Sequence, residues 1–409
     1  MITLSRYLTG NVFRRFPRGV WLMMGLDTLL GAASSLVFPF LALYLHNERG
    51  LPMSLVGTVF LVGGLVTGGT NLIGGMLSDR FGRRRLMLGV ISATIFMYGV
   101  LALLIGFSTP VWLIAVVYVV ARGIAGTVNP TIGAMVADFA PKDKLAESYA
   151  VVRIGGNVGF AIGPAVGGFL ISFLSYAWLL AISAVMYLLI VFLVLFFLPE
   201  SFPGSKDKVD FRSTLAVAGD GPFLVFAIFS ILLVLAVGHL GSTLSIFAVD
   251  WLGLSTAQYG LLLTTNGIGV VLFQYPATYF ASKLSKANGL ILGSLFYVVG
   301  WASLGWVHSF SWAVVSLIVI TAGEVTLAPI SSAVVAEAAP ADKRGRYMGF
   351  FALSQTLGWS LSPLFGGVLL DAFPTQPRLL WGIIASVGVI AAIGFYFWGR
   401  MTRKRLSAP

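Results

Sequence analysis

The sequence contains no cysteine, so disulfides and thiolate metal sites are excluded from the outset. Charge is almost as scarce. Only 10% of the 409 residues are Asp, Glu, Lys or Arg, whereas 58% are hydrophobic, a balance with too little charge to keep a soluble surface solvated. Histidine occurs three times, and no paired-carboxylate site, phosphate-cradling glycine loop or metal-ligand cluster can be assembled. The reading is therefore no metal, no cofactor and no enzyme. A sensor would need a sizeable soluble domain, and no hydrophilic interval is long enough to be one.

What is present instead is a series of apolar runs, each about 20 residues or longer and able to cross a ~30 Å hydrocarbon layer. Cutting at charged loops and Gly/Pro punctuation gives twelve segments: 20–45, 54–77, 86–106, 111–137, 146–173 and 177–198, then 222–249, 257–281, 288–307, 311–337, 345–371 and 378–399. Helices are the choice, because the alternation of a membrane barrel is absent. The fold class expected is an all-α polytopic membrane protein with twelve transmembrane helices in two pseudo-symmetric six-helix bundles. Residues 1–198 form the first bundle, 199–219 a cytoplasmic linker and 220–409 the second.

The net charge of +11 would suggest nucleic acid in a soluble chain, but its placement speaks for a membrane. All Lys and Arg except Arg49, Arg122, Arg153 and Arg378 fall in the tails and in alternate loops. That is the positive-inside pattern, which puts both termini in the cytoplasm of a multi-pass inner-membrane protein. The stretch "RRFPRG" (14–19) precedes an apolar run without a small-residue cleavage site, so the first helix is read as uncleaved.

The halves are copies. A shift of 199 places "NPTIGAMVADFAPKDK" (129–144) on "APISSAVVAEAAPADK" (328–343), with Pro130 on Pro329 and Asp138 on Glu337. It also places "GFAIGPAVGG" (159–168) on "GWSLSPLFGG" (358–367). A shift of 203 places "LSDRFGR" (77–83) on "FASKLSK" (280–286). Duplication of this kind lets transporters build a midplane site between two bodies that rock.

Three stretches carry a family resemblance. "GGMLSDRFGRRRLML" (74–88) resembles the major facilitator superfamily signature between the second and third helices, through Gly75, Asp79, Arg80, Gly82 and Arg83. Gly75 permits close helix contact, Gly82 a tight turn, and Asp79 a charge-assisted bond from a nearby Arg or a helix cap. The resemblance implies a loop that latches the halves together on the cytoplasmic side when the site faces outward. "GFAIGPAVGG" is similar to the fifth-helix pattern of that superfamily's proton-driven exporters. Gly159, Gly163, Gly167 and Gly168 make a bare stripe, which the resemblance sets against the eighth helix, and Pro164 gives a bend; ordinary small-residue packing is the alternative. "YVVARGIAG" (118–126) resembles the fourth-helix motif through Arg122 and Gly126, with Ala125 departing from it. A buried Arg needs a carboxylate, a carbonyl cluster or an anion, so Arg122 either influences a proton site, as the resemblance implies, or fixes packing as an ion pair.

Two acids lie deep in the apolar runs: Asp27 in the first segment and Glu324 in the tenth. Low dielectric penalises a charged carboxylate, which makes an acid at that depth a candidate proton carrier. "GEVTLAP" (323–329) also resembles proton-coupled multidrug antiporters of the superfamily, as does Asp138. Glu324 ranks first, Asp27 second and Asp138 third; a permanently protonated Glu324, or an Asp27 paired with an Arg, are the other readings. His239, Asn157, Arg153, Asn71, Asn266 and Gln274 are candidate cavity groups, the aromatics Tyr44, Phe38, Phe247, Tyr275 and Trp359 are candidate lining of an amphiphile pocket, and a neutral packing role is the stronger reading of His239.

The function expected is a secondary active transporter, a proton-coupled antiporter that exports amphiphilic or drug-like compounds by alternating access. An exporter or flippase of a sugar, metabolite or glycolipid is the alternative. The partners are a small-molecule substrate, protons and the lipid bilayer, with no nucleic acid, and the resemblance implies a monomer.

Overall fold

The computed structural model describes residues 16–141, 144–202, 216–281, 283–340 and 343–406. Most of the linker (203–215) lies outside them, as do the inside-loop cations Arg6, Arg14, Arg15, Lys142, Lys206, Lys208 and Arg212. The described residues are helical, with no strand, and hold thirteen helices of twelve residues or more. These are α1 (Arg18–Ser35), α2 (Met53–Phe81), α3 (Arg83–Gly106), α4 (Val111–Ala125), α5 (Val128–Phe139), α6 (Leu145–Ile171) and α7 (Tyr176–Phe197). They continue as α8 (Gly221–Val237), α9 (Thr256–Ala281), α10 (Lys286–Ser303), α11 (Phe310–Ala338), α12 (Arg344–Ala372) and α13 (Pro377–Leu406).

Thirteen helices stand where twelve crossings were expected, because the fourth segment divides at Gly126–Thr127 into α4 and α5. Among the described residues nine stretches are long and apolar enough to cross a membrane. The three expected crossings that miss that standard do so for two reasons. Helix α8 stops after 17 residues. Helices α9 and α12 spend much of their length on Gly, Ser, Thr, Asn and Gln, and these are helices that face the middle of the protein.

Helices α1 and α8 both end early, and their continuations match. After Ser35 the chain turns, forms Phe38–Leu43 and closes with a π-turn at Tyr44–Glu48. After Val237 it turns, forms Thr243–Ile246 and closes with a π-turn at Phe247–Trp251. Each ends on a glycine in the left-handed region, Gly50 at φ 68° and Gly253 at φ 65°. The first break has a local cause: Pro39 has no N–H for the carbonyl of Ser35, and the Ser35 hydroxyl already donates to Gly31 O at 2.7 Å. The second falls between Gly238 and Gly241, which tolerate the turn.

Packing follows the copying. Helix α1 lies along α6, and α8 along α12; α2 crosses to α12, and α9 crosses to α6. The later helices add an aromatic core in which Trp301 and Trp381 stack at 5.2 Å, both fully buried.

Candidate functional site

Two seams join the earlier helices to the later ones, and they are copies of each other. On one, a Cβ at Gly57 of α2 would fall on the Pro363 carbonyl and Leu364 of α12. On the other, a Cβ at Gly260 of α9 would fall on the Pro164 carbonyl and Ala165 of α6. Gly64 meets Ser360 as Gly267 meets Ala161, and Gly367 meets the backbone of Met53 as Gly168 meets that of Thr256. Hydroxyls stitch the second seam, Thr264 Oγ1 donating to Ala161 O at 2.6 Å and Thr256 Oγ1 to Gly168 O at 3.0 Å.

The bare stripe itself has a different partner from the one expected. Gly159, Gly163 and Gly167 face α1, against the Thr28 carbonyl, Ala32 with Ser35, and Leu36 with Phe40. Only Gly168 faces α9, because one further residue turns the helix by about 100°. The double glycine thus serves two neighbours at once. Its copy does the same: Gly366 meets Thr243 and His239, and Gly367 meets Met53.

One end of the seams is shut. The Asp371 carboxylate, at the end of α12, accepts from the backbone N–H groups of Met53 at 2.9 Å and Ser54 at 2.8 Å, capping the N-terminus of α2. Asn47 Nδ2 donates to Asp250 Oδ1 at 2.8 Å, and His46 Nε2 lies 3.9 Å from Asp250 Oδ2. Toward the other end the helices part. Gly75 shares the face of Gly57, Gly64 and Gly68, yet a Cβ there would meet nothing within 4 Å, so the close contact expected of Gly75 is absent in this conformation. Asp371→Asn keeps one acceptor but loses the charge at a helix N-terminus. It is expected to weaken the shut end by about 0.3–1 kcal/mol, read as a lower melting temperature in detergent.

At the parting end, the Asp/Arg loop bonds within its own half. Gly82 adopts φ 89° at the C-cap of α2, as the turn requires. Arg83 pairs with Asp138 of α5 and lies 3.6 Å from Asp79, while Arg80 sits over the Phe81 ring at 5.4 Å. Arg84 donates from Nε to Val194 O (3.2 Å) and from Nη2 to Leu195 O (2.6 Å), at the end of α7. Glu200 accepts the backbone N–H of Arg84 at 3.1 Å, a contact the sequence reading did not anticipate. Lys286 and Glu337, the shifted counterparts of Arg83 and Asp138, pair in the later half. The copies differ in burial: the Arg83 and Asp138 side chains are 11% and 24% exposed, those of Lys286 and Glu337 31% and 70%. Double-mutant cycles to alanine are expected to give a coupling of about 1–3 kcal/mol for the first pair and below about 1 kcal/mol for the second.

Between the seams lies a cavity of ≈ 300 Å³. Its walls are Ser34, Ser35, Phe38, Phe60, Gly64, Thr67, Asn71, Tyr118, Arg122 and Phe160 from the earlier helices, and Thr356, Trp359, Ser360 and Pro363 from α12. Phe38 stacks on Phe60 at 5.2 Å, Phe60 leans on Tyr118 at 5.4 Å, and the Arg122 guanidinium sits 5.9 Å from the Phe38 ring.

Of the cavity groups named from sequence, Asn71, Phe38 and Trp359 line this cavity, whereas His239, Asn157, Arg153, Asn266, Gln274 and Tyr44 do not. His239 is fully buried beside the α8 break, bonded to Thr243 Oγ1 at 2.9 Å and edge-on to Trp301. Tyr44 is buried at the shut end, where it accepts from Arg49 at 3.0 Å. Gln274 donates to Val325 O at 3.1 Å, and Asn157 is half-buried on α6. Asn266 instead joins the first-ranked acid: its Nδ2 is 3.1 Å from Glu324 Oε2 and 2.9 Å from Thr321 Oγ1. Arg153 is exposed on α6. Asp27, half-buried on α1, lies against Gly156 of α6, where a Cβ would meet its carboxylate. The polar lining that sequence passed over consists of Ser34, Ser35, Thr67, Thr356 and Ser360, residue types too common in these helices to stand out.

Comparison with known proteins gives a consistent picture. The family model described as Major Facilitator Superfamily matches residues 23–250 and again 226–409, the two copies in turn. The chain is 27% identical over 369 residues to the MFS-type transporter YttB of Bacillus subtilis (strain 168), covering 89% of this chain and 91% of that one. It is 26% identical over 365 residues to a Na(+), Li(+), K(+)/H(+) antiporter of Planococcus maritimus (80% and 84% covered). It is 23% identical over 389 residues to the multidrug resistance protein MdtG of Escherichia coli O9:H4 (strain HS) (92% and 93% covered). In fold it is similar to the crystal structure of the nucleoside transporter NupG, with a TM-score of 0.75 at 16% identity over 93% of this chain and 99% of that one.

Proposed function

The chain belongs to the Major Facilitator Superfamily, and on that premise we propose that this membrane transporter is a proton-coupled antiporter that exports amphiphilic molecules by alternating access. Twelve crossings, the broken helices counted once each, form two bundles (1–198 and 220–409) joined by the linker 199–219, with both termini in the cytoplasm and the monomer as working unit. The cavity between the seams is the substrate site. In this conformation it is closed at the outer end by Asp371 and the Asn47–Asp250 contact.

The observation that carries the coupling is the setting of Glu324. It is a half-buried acid held at 3.1 Å by Asn266 of α9, the helix that packs against α6 of the other half. An acid placed beside a moving seam changes surroundings whenever the halves rock, and a proton carrier must do that. Asp27 is the second candidate. Asp138, engaged with Arg83, acts as a latch, and Arg122 faces substrate. A proton crossing 100 mV releases ~2.3 kcal/mol. That supports roughly a fiftyfold gradient of a neutral compound, since ~1.4 kcal/mol is tenfold. The names of the relatives include an antiporter and a multidrug resistance protein, in keeping with this reading.

The test is proton release. Adding anionic, cationic and neutral amphiphiles and sugars to the detergent-solubilised protein in weak buffer is expected to release protons for the compounds that bind. Tight binding of any of them without release would replace antiport by facilitated transport or lipid flipping.

A further inference from the structure

The central cavity holds one charged side chain, Arg122, and no carboxylate lines it. A guanidinium cannot discharge, so a cation in this setting needs compensation. No counter-charge comes from the protein: among the described residues Arg122 has no ion pair, its guanidinium sits 5.9 Å from the Phe38 ring, and its other neighbours include the neutral phenols Tyr98 and Tyr118. Glu324 is outside the lining and is engaged with Asn266.

The hydroxyls of the cavity do not change that balance, because each is already spent on its own helix. Ser34 and Ser35 donate to Gly31 O, Thr67 to Gly63 O, Thr356 to Ala352 O and Ser360 to Thr356 O. What they offer inward is acceptor capacity, which a cation could use only weakly. The donors left without a partner among the described residues are those of Arg122, the Asn71 amide, the Tyr118 phenol and the Trp359 indole. The cavity is thus an aromatic chamber with one charged group, a donor, and one unpartnered acceptor, the neutral Asn71 Oδ1.

We propose that the substrate is an amphiphilic anion: an aromatic or alkyl body with a carboxylate, sulfonate or phosphate head that pairs with Arg122, its body against Phe38, Phe60 and Trp359. This rests on reading the cavity as the substrate site, and it adds a sign to the cargo. A lipophilic cation would face Arg122 with no counter-charge and would be excluded by the same physics. Charge-assisted bonds to a guanidinium are the strong ones, and a bidentate head fits its fork. With an anion leaving as a proton enters, each cycle moves positive charge inward twice.

The experiment uses three probes with one body: naphthalene-2-sulfonate, 2-naphthol and 2-naphthyl-trimethylammonium, each titrated calorimetrically into the detergent-solubilised full chain. The sulfonate is expected to bind about tenfold or more tightly than the ammonium. Arg122→Gln is expected to erase that preference while 2-naphthol still binds, and Arg122→Lys to restore part of it. An ammonium that binds as tightly as the sulfonate to the wild type overturns the proposal, and so does a preference unchanged in Arg122→Gln. The wild-type comparison decides it even where a variant does not fold. Sulfonate preference without proton release would leave this inference standing and remove antiport; proton release by the ammonium alone would do the reverse.

Discussion

Glu324→Gln is expected to abolish accumulation driven by an imposed pH gradient in proteoliposomes, while one-for-one exchange of labelled for unlabelled substrate persists. The amide keeps the shape of the protonated acid and can still meet Asn266, 3.1 Å from the present carboxylate oxygen. It has no proton to give up, so the protein can still rock with substrate aboard but gains nothing from the ~2.3 kcal/mol per 100 mV that a proton supplies. Loss of both activities would mark Glu324 as a packing residue. Retention of both would move the proton site to Asp27, which a parallel Asp27→Asn measurement checks.

Gly57→Leu and Gly260→Leu are expected to force the shut end open, and to do so alike. At each, the new Cβ lands on a proline carbonyl and the backbone beside it, atoms that cannot rotate aside. Overpacking of that kind costs about 1–3 kcal/mol, enough to shift a two-state balance by roughly five- to 150-fold. The absence of cysteine makes the measurement direct. Spin labels at Ser108→Cys and His308→Cys report the distance across the shut end, and both leucine variants are expected to lengthen it and to slow transport. Gly25→Leu, whose Cβ would meet nothing within 4 Å, controls for helix propensity and is expected to leave the distance alone. Equal distances in all three proteins would mean that the seams are not what holds the end closed.

The segments and the copying were legible because both rest on composition and order. The expected fourth, eighth and tenth segments (111–137, 257–281 and 311–337) lie within a few residues of the observed Val111–Phe139, Thr256–Ala281 and Phe310–Ala338. The shifts of 199 and 203, found in motifs, reappear as paired contacts between Gly57 and Pro363 and between Gly260 and Pro164. What the sequence did not disclose is which neighbour a face meets. Spacing puts Gly159, Gly163 and Gly167 on one face, yet nothing in it says that the face belongs to α1 and that only Gly168 reaches α9.

The breaks after Ser35 and Val237 were hidden for a related reason, since the apolar runs continue through them and only Pro39, Gly238 and Gly241 hint at a stop. Cavity membership was least legible. His239 and Tyr44 stood out by type, but type does not tell a group facing a cavity from one packed in a core or at a loop. Asp371 and Glu200 carried a usable signal, each an acid at the end of an apolar run, where it can cap the start of another helix, α2 for Asp371 and α3 for Glu200.

Proton-coupled export as proposed requires that protonation and substrate select opposite ends of the protein. On the proposed mechanism an exporter collects substrate inside and protons outside, so the protonated form must favour the conformation with the Asp371 end shut, the one described here. The decisive measurement is a pair of spin-label distances, Ser108→Cys with His308→Cys at that end and Arg85→Cys with Lys283→Cys at the other. Acidic pH is predicted to shorten the first distance and lengthen the second. Alkaline pH with substrate is predicted to reverse both, and in Glu324→Gln the two distances are predicted to ignore pH and to answer to substrate alone. Two distances that stay fixed, or that change in the same direction, would contradict it.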